Sequence, residues 1–119
     1  MVRYFINATG MKTQQLTSRA FRLSVEEEGK EIARAYLYII RNDLHEAPYG
    51  LMEDVFVDPE SRGSGAGTKM VKALVEKARE TGCYKIIGTS RVDRPRVHEL
   101  YTRLGFREYG KEFRMELGK

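Results

Sequence analysis

The sequence predicts an α+β fold built on a mixed, mostly antiparallel central sheet flanked by helices. Three features carry that expectation: strict two-residue alternation just after residue 20, a Tyr- and Ile-rich apolar run behind it, and a glycine-rich turn opening a stretch of helical periodicity. At 119 residues, with 41% hydrophobic and 32% charged side chains, the chain has the length and balance of one globular domain, expected over 1–119.

The elements follow in order. Asn7 to Ser18 is polar with scattered apolar residues, so an irregular or weakly helical lead-in is expected. Phe21, Leu23 and Val25 alternate with Arg22, Ser24 and Glu26, the period of a half-buried strand. Glu28-Gly29-Lys30 reads as a turn, with Gly29 free to take positive φ. Glu31 to Arg41, apolar on both faces, predicts an interior strand that pairs with the first as a hairpin. Asn42 to Gly50 holds Pro48 and is a loop, and Leu51 to Val57 is a third strand ended by Asp58-Pro59. After the turn Ser61 to Gly67, residues Val71, Leu74, Val75 and Ala78 give Thr68 to Glu80 an apolar helical stripe, closed by Thr81-Gly82. Tyr84 to Thr89 predicts a strand, Arg96 to Leu104 a short helix closed by Gly105, and Phe106 to Leu117 a final strand or hairpin. The predicted order is β-β-β-α-β-α-β.

Composition narrows the function classes. The apolar run Ala35 to Ile40 is too short to span a bilayer, and Met1 to Asn7 carries no leader pattern, so no membrane partner and a cytoplasmic location are expected. One cysteine, Cys83, excludes an internal disulfide and reads as a packing residue; with only His45 and His98 beside it, no metal site is expected. The net charge of +4 comes without a basic-aromatic motif, so no nucleic-acid partner is expected either.

The glycine turn is the most informative segment. A P-loop needs Gly-Lys followed by Ser or Thr, whereas the order here is Gly67-Thr68-Lys69. A G-x-G-x-x-G fingerprint would need glycine at Thr68 or Met70. What remains is Arg62-x-x-Gly65-x-Gly67 between a strand and an amphipathic helix. Missing Cβ atoms let several backbone N–H groups converge at the positive end of the helix, an arrangement suited to a pyrophosphate. The dipole contributes only about 0.3–1 kcal/mol per charge at an exposed site, so direct N–H···O bonds must supply most of the affinity.

Val57-x-Pro59-x-x-Arg62-Gly63-x-Gly65-x-Gly67 resembles the acetyl-CoA pyrophosphate loop of the GCN5-related N-acetyltransferases (GNAT), and Leu100-Tyr101-x-x-x-Gly105-Phe106 resembles that family's second signature. Both lie in the family's order, separated by helix and strand. The resemblance implies that the backbone of Val55, Phe56 and Val57 pairs with the pantetheine arm where two strands splay. It also implies that Arg62, Gly63, Ser64, Gly65, Ala66, Gly67 and Thr68 wrap the diphosphate, and that Tyr101 protonates the departing thiolate.

Glu53 is the expected base, with Asp54 beside it at the acceptor amine and His98 as a second candidate. Neighbouring strand residues face opposite ways, so Glu53 and Asp54 can share a face only across a bulge. Met52-Glu53-Asp54 and Gly82 to Ile87 are similar to glucosamine-6-phosphate N-acetyltransferases, from which the chain departs at Arg94-Pro95-Arg96-Val97 and in its short segment before Ala20. The basic loop Arg91 to Arg96 is a candidate contact for a phosphate of either ligand. The implied reaction is acetyl transfer from acetyl-CoA to a small-molecule amine, with a homodimer completing the acceptor pocket. Protein N-terminal or lysine acetylation, and a non-catalytic acyl-CoA-binding module, are the alternatives.

Overall fold

A computed structural model describes residues 3–118. In chain order the elements are β1 (Arg3–Ile6), β2 (Lys12–Gln15), β3 (Ala20–Glu27), β4 (Lys30–Ile40), β5 (Tyr49–Val57), a 3-10 turn (Pro59–Ser61), α1 (Ala66–Glu80), β6 (Ile86–Gly88) and α2 (Pro95–Arg103). The principal sheet has the order β3-β4-β5-β6, antiparallel except for the parallel β5–β6 pair. This is the expected α+β architecture.

Alternation decides which face of the sheet is covered. Ala33, Ala35, Leu37 and Ile39 of β4 are buried beneath α1, which packs across β3, β4 and β5 through Met70, Val71, Leu74 and Ala78. The intervening Arg34, Tyr36 and Tyr38 lie on the opposite face, where Tyr38 is 39% exposed. Thus β4 is interior by its pairing but covered on one side only, not apolar on both faces as its sequence suggests.

Helix α1 begins at Ala66, two residues before the expected Thr68, and closes through Gly82, whose φ of 84° lets its amide reach the Arg79 carbonyl. Helix α2 starts on Pro95, whose fixed φ suits a first turn. Past its end, Gly105 at φ 102° folds the chain back so that the Phe106 amide reaches the Tyr101 carbonyl. That return stacks the Phe106 ring on Tyr101, with centroids 5.4 Å apart.

Two expectations are corrected. The lead-in contains a strand: Lys12–Gln15 pairs antiparallel with Arg3–Ile6 as a separate two-stranded sheet. Every β2 side chain is exposed, so no hydrophobic period announces it. The Asn7 side chain makes the turn instead, accepting from the amides of Thr9 and Met11 at 3.0 Å each.

The segment 106–118 forms no strand, although Phe113, Met115 and Leu117 alternate like one and are at least 80% exposed. Alternation specifies a strand only when a neighbouring backbone takes its hydrogen bonds. Strand β6 is likewise shorter than the expected Tyr84 to Thr89. Among the described residues no helix is long and apolar enough to cross a membrane.

Leu74 is fully buried among the sheet-facing side chains of α1. Leu74→Ala should therefore destabilise the fold by about 2–5 kcal/mol in denaturant-induced unfolding.

Candidate active site

The two middle strands of the site run together and then part. Strand β6 pairs with β5 only at Gly50↔Ile86, Leu51↔Ile87 and Met52↔Gly88. Beyond that point β5 continues to Val57, bonded to β4 on one side and unpaired on the side of β6. At the fork the buried Met52 side chain lies where a Cβ on residue 88 would be, so any side chain there would have to displace Met52.

A bulge changes the facing of β5 at the same place. Tyr36 pairs with Glu53 and Arg34 with Phe56, so Asp54 and Val55 together oppose Ala35. Asp54 takes a φ of 50°, and its carboxylate is held by Arg34 at 3.1 Å. The Arg34 guanidinium also lies 4.6 Å from the centre of the Phe56 ring. The bulge brings Glu53 and Asp54 toward one side of the sheet, which plain alternation forbids, and leaves Val55 and Val57 on the α1 side.

The glycine turn follows. Asp58 anchors its entry: its amide bonds the Ile32 carbonyl at 2.8 Å, its carboxylate accepts from the Glu60 amide at 3.3 Å, and Lys30 pairs with it at 2.8 Å. The Lys30 ammonium holds the Asp58 carboxyl below the usual carboxylate range. Gly63 and Gly65 both adopt φ of 88°, which a side chain would resist. Ser64 turns its hydroxyl back onto the Ser61 carbonyl, and no side chain caps α1 at Gly65. Among the described residues, nothing takes up the amides of Gly63, Gly65, Ala66, Gly67 and Thr68. Thr68 instead accepts from Arg103 of α2 at 3.3 Å, tying the two helices together.

A cleft of about 500 Å³ connects these parts, lined by Val55, Val57, Arg62, Gly67, Leu100 and Tyr101 together with Asp93 to Val97. Of the expected site residues, the structure therefore gathers Val55, Val57, Arg62, Gly67 and Tyr101 on one space, with Gly63, Ser64, Gly65, Ala66 and Thr68 along its turn. The Phe56 side chain points to the other face and only its backbone borders the fork.

Tyr101 is half-buried, and burial pushes its phenol above the ordinary value, with the Glu53 carboxylate adding to the shift. Glu53 and Tyr101, from opposite sides of the gap, thus sense each other electrostatically. His98 is bound through Nε2 to the Arg91 carbonyl at 2.8 Å and holds the loop before α2. Cys83 packs near Gly50, and burial raises its thiol, the opposite of an activated nucleophile.

Sequence reasoning missed several participants. Val97 and Leu100 complete the cleft wall at the i, i+3 spacing of α2. Arg34 was signalled only by a lone charge inside an apolar strand, and the Lys30–Asp58 anchor by nothing local.

The sequence profile of the acetyltransferase (GNAT) family matches residues 3–106. The chain belongs to this family. It is 38% identical over 84 residues to a protein of Oryza sativa subsp. japonica named probable glucosamine 6-phosphate N-acetyltransferase 2, covering 70% of this chain and 49% of that protein. It is 41% identical over 69 residues to a glucosamine 6-phosphate N-acetyltransferase of Trypanosoma brucei brucei, covering 57% and 44%. The crystal structure of glucosamine-6-phosphate N-acetyltransferase from Arabidopsis thaliana superposes with a TM-score of 0.75 at 27% identity, over 83% of this chain and 67% of that one. The chain spans about half the length of the curated relatives it matches.

The raised phenol has a pH consequence. An unfolded tyrosine ionises near ~10. In the folded chain Tyr101 ionises at higher pH, so the folded state loses stability as pH climbs past that value. The difference in phenolate absorbance between the parent chain and Tyr101→Phe should titrate above the midpoint of free tyrosine.

Proposed function

We propose that the chain is an N-acetyltransferase that moves the acetyl group of acetyl-CoA to the primary amine of a small molecule, an amino sugar phosphate being the first candidate. The observation that carries this reading is the convergence of three features on one cleft: the unpaired edge of β5, the uncapped start of α1 and Tyr101.

The residues present fit acetyl-CoA. The amides of Gly63, Gly65, Ala66, Gly67 and Thr68 would hold the diphosphate, since the positive-φ glycines leave its approach clear. Arg62, Arg94 and Arg96 line the same cleft and form no ion pair among the described residues, which suits a ligand with several phosphates. Asp93, the acidic lining residue, is already paired with Arg91 at 3.0 Å. Val55, Val57 and Leu100 offer an apolar wall, and the free edge of β5 offers strand-like hydrogen bonds to the amide groups of a pantetheine arm.

The chemistry divides between the two sides of the gap. The amine nitrogen attacks the thioester carbonyl carbon, a C–N bond forms and the C–S bond breaks. Glu53, exposed and facing away from α1, takes the amine proton directly or through water. Tyr101 gives its phenol proton to the departing sulfur and regains one from solvent, so the products are an amide and a free thiol. A phenol is already protonated at neutral pH, the state this role requires, and the upward shift does not change that. Asp54 borders the acceptor side, but its carboxylate is engaged by Arg34, which leaves the base role to Glu53.

The amino sugar reading draws on the names of the relatives and on the resemblance of Met52-Glu53-Asp54 to that group of enzymes. A panel of amino sugars, polyamines and lysine peptides, screened for release of CoA thiol, tests it: transfer to amino sugars supports the reading, and thiol release with peptides alone replaces it. A cofactor-binding module without catalysis would bind acetyl-CoA and release no thiol with any amine.

Two variants test the assignments. Tyr101→Phe should lower kcat on the order of 10²–10⁴-fold while acetyl-CoA binding by calorimetry stays near the parent value. Gly67→Val places a branched side chain on the cleft lining, where its Cβ meets only ordinary contacts with Val57 and Leu100 at 3.6 and 3.8 Å. It should abolish acetyl-CoA binding without lowering thermal stability, a separation that Gly65 cannot provide because its φ of 88° strains any side chain.

A further inference from the structure

We propose that the acceptor lies on the open face of the sheet, against the rings of Tyr36 and Tyr38, with its amine directed to Glu53; the inference rests on the acetyl-transfer reading and names the acceptor's floor. Tyr36 and Glu53 are direct cross-strand partners, as are Tyr38 and Leu51, so the Tyr36 ring stands opposite the acidic residue and the Tyr38 ring follows it two residues along, on the face that α1 leaves uncovered. Cross-strand side chains stand only about 4.5–5.5 Å apart at Cβ, which places the Tyr36 ring within reach of anything whose nitrogen meets the Glu53 carboxylate.

The Tyr36 ring is held at its hydroxyl, and Tyr38 lies alongside it. They run nearly parallel at 17°, with centroids 6.3 Å apart. The Tyr36 hydroxyl accepts from Arg22 Nε at 3.3 Å, and Arg22 is clamped by both Glu31 oxygens at 2.7 and 2.8 Å. The other cation of this face, Arg34, is taken up by Asp54. The floor therefore presents aromatic surface with its cations neutralised, while Glu53, which forms no ion pair among the described residues, remains to meet an ammonium group.

That chemistry selects an amine carried on a ring with an apolar C–H face. The C–H face rests on the phenols and the ammonium turns down to the carboxylate. An amino sugar has this shape. A lysine side chain reaches the carboxylate but brings no ring to cover the tyrosines. Acetyl-CoA enters from the α1 side, so the two substrates meet through the gap between β5 and β6 and do not compete for wall.

Calorimetry with glucosamine 6-phosphate, on protein saturated with CoA, tests the floor directly. Tyr36→Leu keeps a bulky apolar residue in the strand and removes the ring; it should weaken the sugar by roughly tenfold or more and leave acetyl-CoA binding unchanged. Tyr36→Phe should bind the sugar close to the parent value, and the unchanged acetyl-CoA isotherm certifies the fold of each variant. Equal sugar affinity in Tyr36→Leu and the parent would overturn the floor while leaving acetyl transfer intact. So would a parent protein that binds acetyl-CoA but no amino sugar. A parent protein that binds no acetyl-CoA would overturn the floor and the acetyl-transfer reading together.

Discussion

The whole site depends on the parting of β5 from β6 immediately after the Met52↔Gly88 pair. A parallel pair that continued to Val57 would satisfy the edge of β5 and close the gap. Two local facts prevent this. Met52 fills the fork against Gly88, where any side chain would have to displace it, and the bulge at Asp54 and Val55, held by Arg34, re-aims β5 just where β6 ends. Backbone groups that no neighbouring strand pairs are bonded by water or by a ligand, so the fork leaves a strand-like edge free for an extended polar ligand. The helix start asks for an anion in the same direction. In the proposed reading the two demands are met by one molecule with a diphosphate at one end and an amide-bearing arm at the other.

In the proposed mechanism the fork also separates the reacting groups by face. Tyr101 comes from α2 on the covered side, where burial raises its phenol further above neutral pH. Glu53 is exposed to solvent on the open side, where the proposed mechanism brings the amine. A proton donor and a proton acceptor of this kind would neutralise each other's purpose if they touched; the gap keeps them in electrostatic contact but on separate tasks.

Much of this was legible in the chain because it rests on local physics. The β3–β4 hairpin follows from alternation around Gly29, and α1 from the spacing of Val71, Leu74 and Ala78. The turn follows from glycines whose φ values prove to be 88° at both Gly63 and Gly65. Even the bulge left a trace, since two adjacent acidic residues cannot share a face of a regular strand. The polar Lys12–Gln15 strand was illegible because its stability comes from an Asn7 turn and a partner strand, not from burial. The opposite error arose at Phe113, Met115 and Leu117, where a strand pattern exists without a backbone to pair it. The Tyr36–Glu53 neighbourhood was invisible for a third reason: it is set by register across β4 and β5, and the bulge between them shifts that register by one residue.

The central claim is that amides of the glycine turn and the free edge of β5 hold one extended ligand beside Tyr101. A ¹H–¹⁵N correlation titration of the intact chain with CoA reads those amides individually. The account predicts that the largest shifts fall at residues 62–68 and 55–57, with smaller ones at Arg94 to Tyr101. Shifts that leave the turn and the β5 edge unmoved, and gather on another surface, would contradict it.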